Sequence, residues 1–130
     1  MIKQVIAMRK DLNMRKGKMV SQGSHASLKV FFDRIMNRDT MDKDGYIKIA
    51  VTPEMISWIR GAFTKITVSA QSEDEVYQIA EQARLAGIPF SVIIDNGATE
   101  FHGQKTTTCV SIGPAEASEL DKITGNLQLL

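Results

Sequence analysis

The chain has 130 residues, of which 43% are hydrophobic and 24% are charged, and its formal net charge is +1. This length predicts one domain, spanning 1–130, and the composition excludes a disordered or fibrous protein. The single cysteine, Cys109, excludes an internal disulfide, and no Cys or His cluster has the spacing of a zinc site. No apolar run is long enough to span a membrane and the first residues do not resemble a signal peptide, so we expect a cytoplasmic protein.

The first predicted elements are a buried strand and a helix, joined by a basic connection. Ile2–Met8 is apolar and partly β-branched, which is typical of a central strand covered on both faces. Cations collect within and just after the connection, Arg9–Gly17, where there is one acid. These cations are Arg9, Lys10, Arg15, Lys16 and Lys18. The helical stripe that follows should pack on the sheet and end near Asn37; it consists of Met19, Gly23, Ala26 and Val30.

The segment 37–62 is predicted to contain a turn, a possible strand and a short helix. Asp39–Gly45 is rich in turn residues, and Tyr46–Val51 is a possible strand. Thr52 followed by Pro53 is a common start for a helix, which we predict over Pro53–Arg60.

The next pair of elements is a strand followed by a helix. Apolar and polar residues alternate over Phe63–Ala70, which predicts a half-buried strand. Ser72, with Glu75 three residues later, has the spacing of a capping box and begins a helix that ends at Gly87.

Two strands and a terminal helix complete the chain. Phe90–Ile94 is a buried strand, and Thr106–Ile112 is the last strand. Gly113 and Pro114 are predicted to open the terminal helix, which Gly125 closes. The order of elements predicts an α/β protein, a sandwich in which a mixed sheet lies between helices.

One face of the first predicted helix carries three polar groups. Lys18, Gln22 and His25 stand at i, i+4 and i+7, within about 60° of one another, beside the stripe that packs on the sheet. They should therefore form one wall of a cleft. Because the helix dipole already makes this end positive, the neighbouring cations indicate an anion, such as a nucleic-acid phosphate or another phosphorylated ligand. The alternatives are a solvated basic loop and an ordinary surface histidine.

Asp95 is the second candidate for a functional group. It lies at the carboxyl end of an apolar strand, where open α/β sheets place their ligand sites, and the Asn96-Gly97 turn exposes backbone N–H groups beside it. The hydroxyls of Thr99 and Thr108 could line the same end of the sheet. The alternatives are an Asx turn at Asp95 and ordinary strand threonines.

Three stretches of the chain occur together in a known family. They are "KQVIAMRKDLNMRKGKMVSQGSHAS", "IIDNGATEF" and "VSIGPAEASELDKITGNLQLL". In this order and spacing they resemble the second type of peptidyl-tRNA hydrolase, typical of archaea and eukaryotes and found in some bacteria and viruses. The resemblance covers residues 2–30 and 63–130, and relative to the family the segment 37–62 is expected to be an atypical insert. The resemblance implies a three-layer sandwich with a four-stranded mixed sheet, a homodimer, and hydrolysis without metal or cofactor of the ester joining a peptide to the terminal ribose of tRNA, which rescues stalled tRNA.

The resemblance also implies roles for single residues. The active-site lysine and histidine of the family match Lys18 and His25, its helical glutamine matches Gln22, and its aspartate and threonines match Asp95, Thr99 and Thr108. We expect Lys18, His25, Asp95 and Thr99 to be catalytic and Gln22 and Thr108 to orient the ester end of the substrate. The cations expected to contact the acceptor-stem backbone are Arg9, Lys10, Arg15 and Lys16.

The loop after Asp95 departs from the family pattern. Ala98 and Glu100 stand where the family usually has arginine and glutamine. Loss of these groups leaves a second hypothesis open, that of a catalytically weak tRNA-binding or protein-interaction relative of the same fold.

Overall fold

The computed structural model describes residues 1–37 and 42–130. Within these two ranges the chain forms four strands and four helices. In chain order they are β1 (Ile2–Arg9), α1 (Lys16–Phe32), α2 (Pro53–Arg60), β2 (Lys65–Ala70), α3 (Glu73–Leu85), β3 (Phe90–Asp95), β4 (Thr106–Glu116) and α4 (Ala117–Thr124). No helix in the described part of the chain is long and apolar enough to cross a membrane.

The strands form one mixed sheet in the order β2-β1-β4-β3. β1 runs parallel to β2, whereas β4 is antiparallel to both of its neighbours, β1 and β3. β1 and β4 are therefore central strands, which explains why both are almost continuously buried. β3 lies at one edge of the sheet, and its last residue is Asp95.

Helices cover both faces of the sheet. On one face, α3 and α4 pack residues such as Ile79 and Leu120 against Val5 of β1. On the other face, Ala26 of α1 packs with Met8 of β1 and neighbouring apolar residues. The predicted three-layer sandwich with a four-stranded mixed sheet is thus confirmed.

Buried hydrogen bonds fix α1 on its face of the sheet. The Ser111 hydroxyl donates to the Ala26 carbonyl over 2.7 Å, and the Ser27 hydroxyl donates to Oε1 of Gln4 over 2.7 Å. Nε2 of Gln4 donates back to the Ser27 carbonyl over 3.3 Å. These contacts resist sliding of α1 along the sheet, because a shift would leave buried polar groups without partners. The first turns of α1 are thereby held beside the end of β3.

Two predicted helix starts have the expected caps. The Thr52 hydroxyl accepts a hydrogen bond from Met55 N over 3.1 Å, and α2 spans the predicted residues. The Ser72 hydroxyl accepts from Glu75 N over 3.1 Å. The Glu75 carboxylate, however, accepts from Gln71 N instead of Ser72 N, so the predicted capping box is only half formed.

Two predicted boundaries are wrong because longer-range pairing overrides the local signal. Gly113 and Pro114 do not open a helix, since β4 remains paired with β1 as far as Glu116 and α4 begins at Ala117. The first helix ends at Phe32 instead of near Asn37, because Met36 N turns back to donate to the Lys48 carbonyl over 2.7 Å.

The prediction of a possible strand over Tyr46–Val51 is wrong as well. This segment contributes only an isolated bridge between Ile49 and Ile35. Part of the predicted turn Asp39–Gly45 lies outside the described residues. In the described part, Oδ1 of Asp42 accepts from Asp44 N over 3.0 Å and from Tyr46 N over 2.9 Å, which closes a turn.

Candidate active site

The first helix and the end of β3 meet in a polar cluster. Nζ of Lys18 lies 2.9 Å from Oδ1 of Asp95, and the side chains of this ion pair are only 11% and 10% exposed. The same ammonium donates to the Thr99 hydroxyl over 2.5 Å. The structure thus brings together a lysine from α1, an aspartate from the end of β3 and a threonine from the following loop. Partial burial makes the attraction between these groups stronger than that of a surface pair.

A buried relay holds the aspartate from beneath. The Thr108 hydroxyl, fully buried in β4, donates to Oε1 of Gln22 over 2.6 Å. Nε2 of Gln22 then donates to Oδ1 of Asp95 over 3.1 Å. The threonine hydroxyl fixes which end of the amide faces the carboxylate, because an amide oxygen can only accept. Gln22 is 1% exposed, so it lies under the polar face of α1 instead of on it.

The turn after β3 supplies a further hydrogen bond to the carboxylate. Oδ2 of Asp95 accepts from Gly97 N over 2.9 Å. Gly97 has a φ of +85°, and a Cβ at this position would lie 2.4 Å from the Gln104 carbonyl oxygen, so only glycine fits. The predicted Asx turn at Asp95 therefore exists, and it belongs to the cluster.

These contacts determine the charge of Asp95. Burial raises the pKa of this carboxyl and is the largest single effect. The hydrogen bonds from Lys18, Gly97 and Gln22, with the Lys18 charge, together outweigh burial, and the pKa of Asp95 lies below its usual range. The carboxylate is therefore ionised at neutral pH, a strong acceptor and a weak base.

His25 lies next to the cluster, outside its hydrogen-bond network. It is exposed and lines a groove of about 440 Å³ together with Asp95 and Asn96. No hydrogen bond joins the His25 ring to another residue of the described ranges. The face of α1 that was predicted to carry three polar groups is thus divided between Lys18 in the cluster, Gln22 beneath it and His25 in the groove.

The predicted basic cluster separates into engaged and exposed cations. Arg9 donates to both carboxylate oxygens of Asp11, over 3.0 and 2.7 Å, and to the Thr107 carbonyl over 2.9 Å, and its side chain is only 12% exposed. Lys10 and Lys16 are exposed and form no ion pair with any residue that the structure describes. The two lysines are therefore better placed than Arg9 to meet a phosphate.

Glu100 occupies the amino end of α1. Its carboxylate lies 2.9 Å from Nε of Arg15 and accepts weakly from Arg15 N over 3.4 Å. α1 has no acid in its first turn and no side-chain cap, so Glu100 supplies negative charge at the end where the helix dipole favours it. Sequence reasoning identified Glu100 only as a departure from a pattern, because nothing in the spacing of residues 15 and 100 indicates that they meet.

Two more residues of the site, Phe101 and Cys109, were not predicted from the sequence. The Phe101 ring lies 5.5 Å from Nζ of Lys18, at cation–π distance. Cys109 is fully buried, its thiol donates weakly to the Gln22 carbonyl over 3.5 Å, and burial raises its pKa to about 12. Cys109 is the residue after Thr108, which is the one sequence signal that could have placed it near the relay. No group of three or more His, Cys, Asp or Glu residues within 1–37 and 42–130 could hold a metal ion.

Comparison with known proteins identifies the family of the chain. The sequence model of the family described as peptidyl-tRNA hydrolase PTH2 matches residues 2–130. The chain belongs to this family. Residues 2–130 include the whole polar cluster, so the predicted resemblance is confirmed and now extends through the segment 37–62 as well.

Curated relatives in the peptidyl-tRNA hydrolase PTH2 family match the chain from end to end. A peptidyl-tRNA hydrolase of Methanocaldococcus jannaschii is 38% identical over 99% of this chain and 100% of its own length. Those of Saccharolobus islandicus and Haloquadratum walsbyi are 35% and 36% identical, and each alignment covers at least 98% of both chains. Among solved structures, a protein of unknown function from Agrobacterium tumefaciens has a TM-score of 0.56 at 12% identity, covering 98% of this chain and 96% of its own, which shows a shared fold alone.

Proposed function

We propose that this chain is a peptidyl-tRNA hydrolase that cleaves the ester bond between a peptide and the terminal ribose of tRNA. The observation that carries the proposal is the partly buried Lys18–Asp95 ion pair with Thr99, in a chain that belongs to the PTH2 family. Water adds to the ester carbonyl carbon, the bond from that carbon to the ribose oxygen breaks, and a proton of the water ends on the released ribose hydroxyl. A free peptide and a reusable tRNA result.

Lys18 is the group we assign to the developing negative charge. A lysine ammonium has three donors, and here two of them meet Asp95 and Thr99. The third donor is available for the ester oxygen as it becomes an oxyanion. Because Lys18 is already held by its two partners, little reorganisation is needed when that charge appears.

Asp95 and His25 are the groups we assign to the water. Oδ1 of Asp95 already accepts from Lys18 and Gln22, so Oδ2 has the freer lone pairs and can accept from a water. Its lowered pKa makes Asp95 better suited to orient that water than to hold its proton. His25 lines the same groove and is the candidate to carry the proton onward.

Gln22 and Thr108 act in this proposal as positioning residues. Thr108 is fully buried and Gln22 is 1% exposed, so neither offers a surface to the ester in this structure. The hypothesis that they orient the substrate directly is therefore replaced by an indirect role, in which the relay fixes the carboxylate of Asp95. Thr99 is exposed and remains a candidate for substrate contact.

The basic residues around the start of α1 are assigned to the acceptor stem. Lys10, Lys16 and the largely exposed Arg15 can meet backbone phosphates, which would make binding weaken steeply as salt is added. Arg9 is assigned instead to holding Asp11 and the start of the connection in place. We further propose that it is a single-domain enzyme that works as a homodimer in the cytoplasm and serves ribosome rescue in translation.

Hydrolysis of N-blocked aminoacyl-tRNA by the purified chain, with and without a chelator, tests the proposal. Lys18→Ala and Asp95→Ala should each lower kcat by about a hundredfold or more, the usual effect of removing one oxyanion or acid–base group. His25→Ala should lower it by about tenfold or more if the ring carries the proton. Lys122→Ala, on the exposed surface of α4, is the matched control and should keep full activity.

Each outcome of this experiment has a distinct meaning. Chelator-resistant cleavage by the wild type and the control, lost in the site variants, supports the enzyme and the site. Full turnover in all three site variants would reject the site assignment. Binding of tRNA by the wild type without turnover would reject the enzyme itself.

A further inference from the structure

A groove begins at the polar cluster formed by Lys18, Asp95 and Thr99 and extends away from it. The groove of about 440 Å³ that contains His25 runs between α1 and β3, and Asp95 lines it as well as the cluster. Its apolar walls are formed by Leu28, Phe32, Ile93 and Ile94. A bound ester placed at Asp95 would therefore have an apolar channel directly beside its acyl part.

The wall of this groove includes an open sheet edge. β3 is an edge strand, and no backbone hydrogen bond in the described ranges joins it to a segment other than β4. Ile94 on this strand is 56% exposed, and Leu28 on the facing helix is 55% exposed. An open edge beside exposed apolar side chains is the arrangement to which an extended peptide can add as a strand.

We propose that the groove and the outer edge of β3 bind the peptidyl part of the substrate in an extended conformation. This proposal rests on the proposed hydrolase function and names where the peptide lies. Main-chain pairing with β3 would hold peptides of any sequence, because its hydrogen bonds form with backbone groups. The groove would accept the apolar side chains of the peptide. β3 has six residues, and because paired strands rise equally, by about 3.3 Å per residue, it can accompany a peptide of about six residues.

A larger apolar groove, of about 850 Å³, lies elsewhere along α1 and serves as the comparison. It is lined by residues that include Val20, Gly23 and Phe63, and neither Lys18 nor Asp95 is among them. Continuity with the cluster thus favours the groove along β3 for the acyl group. Val20 is 68% exposed and provides a position where another β-branched apolar side chain can be changed to threonine outside the proposed subsite.

The experiment compares kcat/KM for formyl-tetrapeptidyl-tRNA and acetylglycyl-tRNA, which share the ester but differ in peptide length. Wild type should prefer the longer substrate by roughly threefold to tenfold, less than the full value of a closed apolar pocket because this groove is open. N-methylation of the peptide at alternate residues should remove most of that preference, since only alternate N–H groups face a neighbouring strand. Ile94→Thr should reduce the preference, and Val20→Thr should leave it unchanged.

The experiment distinguishes a failure of the proposed hydrolase function from a failure of the proposed peptide subsite. Cleavage of neither substrate would reject the hydrolase. Cleavage of both with equal kcat/KM, or indifference to N-methylation at every position, would reject the peptide subsite and leave the hydrolase intact. If Ile94→Thr instead changed the oligomeric state in light scattering without changing the preference, the groove would belong to a second copy of the chain, and the inference would be overturned.

Discussion

Thr108→Val tests whether the buried relay positions the carboxylate of Asp95. The change keeps the shape of the side chain and removes only the hydroxyl that donates to Oε1 of Gln22 over 2.6 Å. That amide oxygen would be left buried without a donor, which costs about 1–3 kcal/mol. For a domain of this size the melting temperature should fall by roughly 3 to 12 °C.

Turnover should fall together with stability, for a separate reason. Without the hydroxyl, the Gln22 amide is held only by its bond to Asp95 among the contacts of the described residues, so the donor that keeps Asp95 beside Lys18 is weakened or lost. A loss of one such hydrogen bond, about 1–2 kcal/mol, lowers kcat by roughly five- to thirtyfold. KM for tRNA should hardly change, because Thr108 is fully buried and contacts no part of the tRNA in the proposed mode.

Two further variants separate positioning from simple destabilisation. Thr108→Ser keeps the hydroxyl but loses a buried methyl group, so it should melt earlier and still keep most of its turnover. Thr124→Val makes the same change at a buried threonine of α4, where the hydroxyl donates to the Leu120 carbonyl, and should leave kcat unaltered. Equal turnover losses in the Ser and Val variants at position 108, or unchanged kcat in Thr108→Val, would refute the relay.

Three other predictions concern charge and the buried thiol. Because the folded pKa of Asp95 lies below its usual range, its ionisation stabilises the fold fully above about pH 4, the unfolded value, and this contribution is lost as the pH falls through the folded pKa. The difference in melting temperature between wild type and Asp95→Asn should therefore be constant near neutral pH and shrink in acid; a difference that grows in acid would contradict the assignment. Glu100→Gln should tighten tRNA binding by roughly threefold to tenfold at low salt, because it removes negative charge from the amino end of α1 and releases Arg15. Filter binding measures this, and equal or weaker binding by the variant would show that Glu100 does not oppose the phosphate. Cys109 should not react with a thiol reagent at neutral pH until the chain unfolds, since burial raises its pKa to about 12; rapid labelling of the native protein would disprove its burial.

Local patterns were sufficient for most elements of the fold. The Thr52-Pro53 pair predicted the start of α2, and the alternation over Phe63–Ala70 placed β2 within two residues of its start. These signals depend on interactions between residues close in the chain, such as caps and periodic burial. They failed at Gly113 and Pro114, where pairing with the distant strand β1 extends β4 through residues that normally interrupt a strand.

Only part of the candidate site could be predicted from the sequence. Helical spacing grouped Lys18, Gln22 and His25, and the end of a buried strand marked Asp95, because position within an element is a local property. Spacing alone could not show that Gln22 is buried beneath Lys18, or that His25 has no hydrogen bond to either. Those differences depend on where α1 lies across the sheet.

The sequence by itself determined the α/β class, the family and the chemical types of the site residues, since these follow from periodicity, composition and short motifs. Only the tertiary structure decided the partners: Asp95 with Lys18, Thr108 with Gln22, and Arg15 with Glu100. Each pair spans more than 70 residues of chain and forms because the buried hydrogen bonds of α1 fix its position opposite the ends of β3 and β4. A contact set by the packing of two distant elements leaves no periodic signal in either one.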